Sequence, residues 1–177
     1  MKYICVFCSA NDLEEKYVKP AREFARLMTE HEYNLVWGGS ETGLMKIIAD
    51  DIKMGGGKLI GVSMKILEHV AYKNADELII EKDLSTRKAT LLARSDAIVV
   101  LVGGIGTLDE VTEILELKKH GVHNKPIVIL NTENFYEGFK VQLKKMKDDG
   151  FIKKPLEDLL YFADSPTDAL QYIEKRM

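Results

Sequence analysis

The stretch Ile98-Val99-Val100-Leu101-Val102-Gly103-Gly104-Ile105-Gly106-Thr107-Leu108-Asp109-Glu110 decides the fold. Its apolar, largely β-branched opening has the pattern of a buried strand, and three glycines within four positions then break it. Beyond them Val111, Ile114 and Leu115 recur at helical spacing. Strand, glycine turn and helix start together leave backbone N–H groups aimed at an anion, with the positive end of the helix dipole behind them. A phosphate is the expected occupant.

Two familiar glycine motifs fail on inspection. Gly104-Ile105-Gly106-Thr107-Leu108-Asp109 starts like the dinucleotide fingerprint but carries Asp109 where the third glycine belongs. Gly38 and Gly43 have the spacing of a triphosphate-binding loop, yet Leu44-Met45 replaces the lysine and hydroxyl that such a loop needs.

Outward from the glycine turn, strand-like and helix-like segments alternate. Strands are expected at Tyr3–Phe7, Asn34–Trp37, Lys58–Val62, Leu78–Glu81, Ala97–Val102 and Pro126–Leu130. Helices are expected at Glu15–Glu30, from Gly43 to about Lys53, and at Leu84–Arg94, Thr107–His120, Phe135–Asp148 and Thr167–Lys175. Ser85 is the expected N-cap of the Leu84–Arg94 helix. This alternation predicts an α/β fold, a doubly wound and mainly parallel sheet with helices on both faces. Cys8-Ser9, Gly38-Gly39 and Gly103-Gly104 each follow a strand, so they should share the carboxyl edge where such sheets bind ligands.

The 177 residues fit one domain, 1–177, without internal repeats or linkers. Hydrophobic content of 46% and charged content of 30% are those of an ordinary globular chain. A net charge of −3 argues against nonspecific binding to nucleic acid or membrane surfaces. No apolar run approaches a membrane span and no signal peptide precedes Met1-Lys2-Tyr3-Ile4, so the cytoplasm is the expected compartment. Cys5 and Cys8 fall on opposite faces of the first strand and read as reduced cysteines. His31, His69, His120 and His123 lack metal-ligand spacing and read as surface or capping residues, and no metal site is expected.

Three segments carry a resemblance. Val102-Gly103-Gly104-Ile105-Gly106-Thr107-Leu108-Asp109-Glu110 matches Pro-Gly-Gly-x-Gly-Thr-x-x-Glu everywhere except at the proline. Leu84-Ser85-Thr86-Arg87-Lys88-Ala89-Thr90-Leu91 keeps the Arg-Lys pair of Met-His-x-Arg-Lys-x-x-Met. Trp37-Gly38-Gly39-Ser40-Glu41-Thr42-Gly43-Leu44-Met45 is similar to a third glycine segment, and Gly57–Val62 to the strand after it. Over about residues 3–145 the chain resembles the LOG (Lonely Guy) family, often labelled in genomes as lysine decarboxylases.

The resemblance implies a Rossmann-like fold and a phosphoribohydrolase. Such an enzyme cleaves the N-glycosidic bond of a nucleoside 5′-monophosphate, AMP or an N6-substituted AMP such as a cytokinin nucleotide, to free base and ribose 5-phosphate. The family's catalytic pair maps onto Arg87 and Glu110, and substrate or phosphate contacts onto Gly39, Ser40, Lys88, Gly103, Gly104, Gly106 and Thr107. The residue types suit the chemistry. A carboxylate can stabilise an oxocarbenium-like sugar or activate water, and amides can hold the phosphate. No metal or organic cofactor is required, and no stretch marks the Schiff-base lysine with acidic partner that pyridoxal chemistry needs. The resemblance also implies a homodimer, for which the Thr107–His120 helix is the candidate because Ile114, Leu115 and Leu117 spread beyond one stripe.

Each residue also has a purely structural reading. Thr107-x-x-Glu110 fits a capping box, Arg87 and Lys88 a solvated helix face, and Gly38, Gly39 and Gly43 tight turns. Trp37 reads as core. The lost proline and the lost Met-His pair leave a second function open: a carrier or sensor that binds a nucleotide, or a molybdenum-cofactor-like ligand, without cleaving it. A purely structural protein ranks third, having no need of three glycine turns on one edge.

Overall fold

A computed structural model describes residues 2–177. In chain order it contains β1 (Lys2–Phe7), α1 (Glu15–Glu30), β2 (Tyr33–Trp37), α2 (Gly43–Met54) and β3 (Leu59–Met64). A 3₁₀ turn at Lys65–Val70 leads to β4 (Glu77–Glu81), α3 (Leu84–Ala93), β5 (Ala97–Val100) and α4 (Ile105–Lys119). Then come β6 (Ile127–Leu130), α5 (Glu137–Asp148), the short α6 (Leu156–Leu159), β7 (Tyr161–Ala163) and α7 (Pro166–Glu174).

All seven strands form one parallel sheet in the order β4-β3-β2-β1-β5-β6-β7. The chain therefore winds outward from β1 in one direction, then returns to lay β5 on the other side of β1. That reversal is the switch point, where the crossovers on either side leave a crevice beyond the strand ends.

Period-two alternation sorts the strand residues into two cores. Ile4, Val6 and Cys8 join Phe24 and Met28 of α1, Leu44 and Ile48 of α2, and Leu170 and Ile173 of α7. Cys5 and Phe7 face the other way, onto Leu91 of α3, Val111 and Ile114 of α4, and Leu143 of α5. Both cysteines are free and buried, one on each face. The side chains of Phe24 and Trp37 are essentially inaccessible, each burial of this kind contributing about 2–3 kcal/mol.

The expected elements are all present, α1 with the expected bounds and the others with ends shifted by one or two residues. α4 begins at Ile105, two residues before the expected Thr107, because Gly104 is its N-cap. α3 is capped by Asp83 and not by Ser85. Asp83 is extended, its carboxylate accepts from the Thr86 amide at 2.8 Å, and the Thr86 hydroxyl closes a capping box. Two elements beyond residue 148 escaped the sequence reading, α6 and β7. Both are short, and two of the three β7 residues are only half-buried, so neither displays a full period. Among the described residues no helix is long and apolar enough to cross a membrane.

Candidate active site

The crevice is floored by the segments that leave β1 and β5. The Leu101 amide donates to Phe7 O at 2.9 Å and the Ser9 amide to Val102 O at 3.0 Å, so the two segments continue side by side past the sheet edge. At Gly103 a Cβ would lie 2.1 Å from Thr107 Oγ1, which leaves room for glycine alone. Gly104 and Gly106 differ: a Cβ at either would meet nothing within 4 Å, and neither has a positive φ. The fold does not require glycine at these two positions. No side chain caps α4, so its first-turn amides are available to water or to an anion.

Glu110 lies one helical turn into α4, and Arg87 lies in the first turn of α3. Arg87 Nη1 donates to Glu110 Oε1 at 3.0 Å, Nε to Val62 O at 2.9 Å and Nη2 to Gly38 O at 3.3 Å. One planar guanidinium thus ties the ends of β2 and β3 to α4. A Cβ at Gly38 would fall 2.3 Å from Arg87 Nη2, so that glycine is needed to admit the arginine. Both charged side chains are only 8% exposed, and a solvated-face reading of Arg87 is excluded. So is the capping box: Thr107 is the third residue of α4, not its cap, and Glu110 bonds Arg87. Burial pushes the Glu110 carboxyl above its ordinary value of 4.5, against the opposing pull of the Arg87 charge and hydrogen bond.

Lys88 is buried beside Arg87, but its ammonium is bound to carboxylates of α4. It lies 2.9 Å from Asp109 Oδ2 and pairs also with Glu113. Burial alone would lower its pKa, and the hydrogen bonds it donates to Glu113 and Asp109 more than offset this, leaving it raised. Gly39 has φ of 71°, and its carbonyl accepts from the Tyr72 amide at 2.8 Å. The Ser40 hydroxyl is 2.8 Å from that of Thr42, and its backbone bridges Ala71. The Gly38–Thr42 turn is thereby held under the segment after the 3₁₀ turn.

One residue at this edge was not anticipated. Tyr136, buried at the start of α5, donates its hydroxyl to Leu101 O at 2.7 Å beneath the glycine turn. Burial pushes the phenol well up, so it stays a neutral donor. The available sign was its place after β6, on the edge shared by the glycine turns. Of the histidines, His31 and His120 cap helices, His69 is exposed, and His123 is half-buried with Nε2 on Ile114 O at 2.9 Å.

A family model described as "Possible lysine decarboxylase" matches residues 45–173, which include Arg87 and Glu110. Cytokinin riboside 5′-monophosphate phosphoribohydrolase LOG5 of Arabidopsis thaliana is 31% identical over 98% of this chain and 77% of its own length. LOG1 of the same plant, with the same described activity, is 32% identical over 98% of this chain and 83% of its own. The chain belongs to the LOG family. As a LOG protein it also shares its fold with a Moco carrier protein from Chlamydomonas reinhardtii, at a TM-score of 0.73, 24% identity and coverage of 98% of this chain and 96% of that one. A molybdenum cofactor binding protein from Rippkaea orientalis has a TM-score of 0.75 at 20% identity, again over 98% and 96% of the two chains. At such identities the likeness extends to the fold alone. One fold thus carries two differently described groups of proteins.

Proposed function

We propose that this chain is a nucleoside 5′-monophosphate phosphoribohydrolase that acts on AMP or an N6-substituted AMP of the cytokinin type. The observation that carries the reading is the buried Arg87–Glu110 pair beside the exposed, uncapped start of α4. The 5′-phosphate binds at the amides around Gly104, Gly106 and Thr107, with Gly103 shaping the turn, and Gly39 and Ser40 border the sugar. Phosphate binding far from the reacting bond supplies energy that positions it. Glu110, as carboxylate, stabilises positive charge developing on the ribose ring and then activates water. Water oxygen bonds to C1′, the C1′–N bond breaks, and the base leaves with a proton.

Arg87 has five N–H donors, and three are committed to Val62 O, Gly38 O and Glu110 Oε1. The remaining two are free for a ribose hydroxyl or phosphate oxygen. Lys88 holds α4 against α3 through Asp109 and Glu113, which fixes the height of Glu110 in the crevice.

Residues 1–177 act as one unit in this reading, and two copies pair. Ile114 and Leu115 of α4 are buried within the chain and so do not supply the pairing surface. An apolar groove of about 370 Å³ lies between α4, α5 and α6, lined by Phe139, Leu143, Met146 and Phe151 among others. A second copy seated there is the proposed dimer.

The deciding experiment incubates the protein with a panel of nucleoside monophosphates and measures free base by chromatography. Release of adenine or an N6-substituted adenine supports the hydrolase. Tight AMP binding in calorimetry without base release from any nucleotide assigns the protein instead to carriers or sensors.

A further inference from the structure

At the opposite edge of the sheet, where chain segments enter the strands, lies a cavity of about 580 Å³. It is bordered by the end of α4, the turn into β6, the start of α6 and the end of α7. Its walls carry three cations, Lys118, Lys154 and Arg176, and two carboxylates, Glu157 and Asp158. None of these five groups is in a salt bridge among the described residues, whereas sixteen other pairs are.

Lys118 is the most telling member, since it is only 6% exposed. Its ammonium donates to Lys125 O at 2.9 Å, which uses one of three N–H donors. Lys154 donates to Lys118 O at 3.3 Å, which brings a second ammonium to the same helix end. Arg176 lies over the Tyr172 ring, its guanidinium carbon 3.8 Å from the ring centroid. A buried cation with two like-charged neighbours and no carboxylate within salt-bridge distance is costly, and a bound anion offsets that cost. The Lys118 pKa is lowered by burial first and by Arg176 next, and the Asp158 charge across the cavity offsets this only in part.

We infer that this cavity is a second, separate binding site, for a phosphorylated and hydroxyl-bearing small molecule of the sugar phosphate class. Lys118, Lys154 and Arg176 take the phosphate, which needs several convergent donors. The cavity exceeds what a phosphate alone would fill, and Asn124, Glu157 and Asp158 on its remaining wall offer partners for hydroxyl groups. The inference does not depend on the proposed hydrolase, because no residue of this cavity borders the crevice.

Amide NMR separates the two sites. Titration with ribose 5-phosphate, and in parallel with inorganic phosphate, is expected to shift the amides of Gly121, Asn124 and Arg176 saturably. Shifts at Gly104, Ile105 and Gly106 would report the crevice independently. Lys154 and Arg176 are both exposed, so the K154A/R176A protein should fold, and Kd read at Gly121 should rise about tenfold or more. K154Q alone serves should that variant not fold, with a smaller rise in the same direction. Weaker binding of inorganic phosphate than of ribose 5-phosphate supports the hydroxyl contacts. Shifts confined to the crevice, shifts reproduced by chloride at equal ionic strength, or a Kd unchanged by either variant would overturn the inference.

Discussion

Arg87 and Glu110 meet through a single 3.0 Å hydrogen bond between helices that start on opposite sides of the strand-order reversal. The bond engages one carboxylate oxygen of Glu110. The pair is a structural tie and the proposed catalytic pair at once, and these two roles can be separated by substitution.

Glu110→Gln keeps the shape and an oxygen that can accept from Arg87. The protein should fold and still bind AMP, while base release falls by about a thousandfold, the scale for losing one preorganised electrostatic partner. Single-turnover chromatography beside calorimetry reads both quantities. Turnover within a few-fold of the parent would remove Glu110 from the chemistry.

Arg87→Ala acts mainly on stability. It strands a buried carboxylate and frees the Val62 and Gly38 carbonyls, at a cost of about 3–5 kcal/mol. Urea unfolding at neutral pH measures this. Arg87→Lys should recover only part of it, since an ammonium on a flexible stem cannot meet three acceptors in one plane.

The raised Glu110 pKa gives two pH dependences. Base release needs the carboxylate, so the acid limb of the rate profile should fall at a higher pH than an ordinary carboxylate's 4.5. For stability the sign is reversed. A folded-state pKa above the unfolded one makes the folded state bind the proton more tightly, so this contribution is complete below about 4.5 and is lost as pH rises through the folded value. Thermal melts of the parent and of Glu110→Gln, compared across that range, should show the parent's relative stability declining with pH.

Gly103 and Gly106 should respond oppositely to alanine. Gly103→Ala forces a Cβ onto Thr107 and should destabilise by about 1–3 kcal/mol. Gly106→Ala lies in a helix with open space around it and should stabilise by about 0.5–1 kcal/mol, yet weaken AMP binding if the phosphate approaches there. Melting curves with AMP calorimetry distinguish this from a purely structural glycine.

Most of the fold could be read from the chain because its strands are buried runs and its helices are long enough to show a period. β7 and α6 were not, being three and four residues long. The Asp83 cap was hidden for a different reason: Asp83, Ser85 and Thr86 are all competent caps, and only the path of the chain selects among them. Glycine spacing pointed to the crevice, but it could not separate Gly103, which packing requires, from Gly104 and Gly106, which it does not. Nor could it show that Lys88 turns to Asp109 and Glu113, or that Tyr136 supports Leu101, since both contacts join distant segments.

The strand order has a consequence for synthesis and degradation. The half that holds Arg87, from β1 through α3, emerges from the ribosome before β5 and α4 exist. Until α4 docks, its guanidinium has only the Val62 and Gly38 carbonyls to bind. No nascent or clipped fragment that ends before α4 contains both members of the pair. Any activity that depends on them is all-or-none with respect to chain completion, and a single nick between α3 and α4 should leave two inert pieces whose re-association restores it.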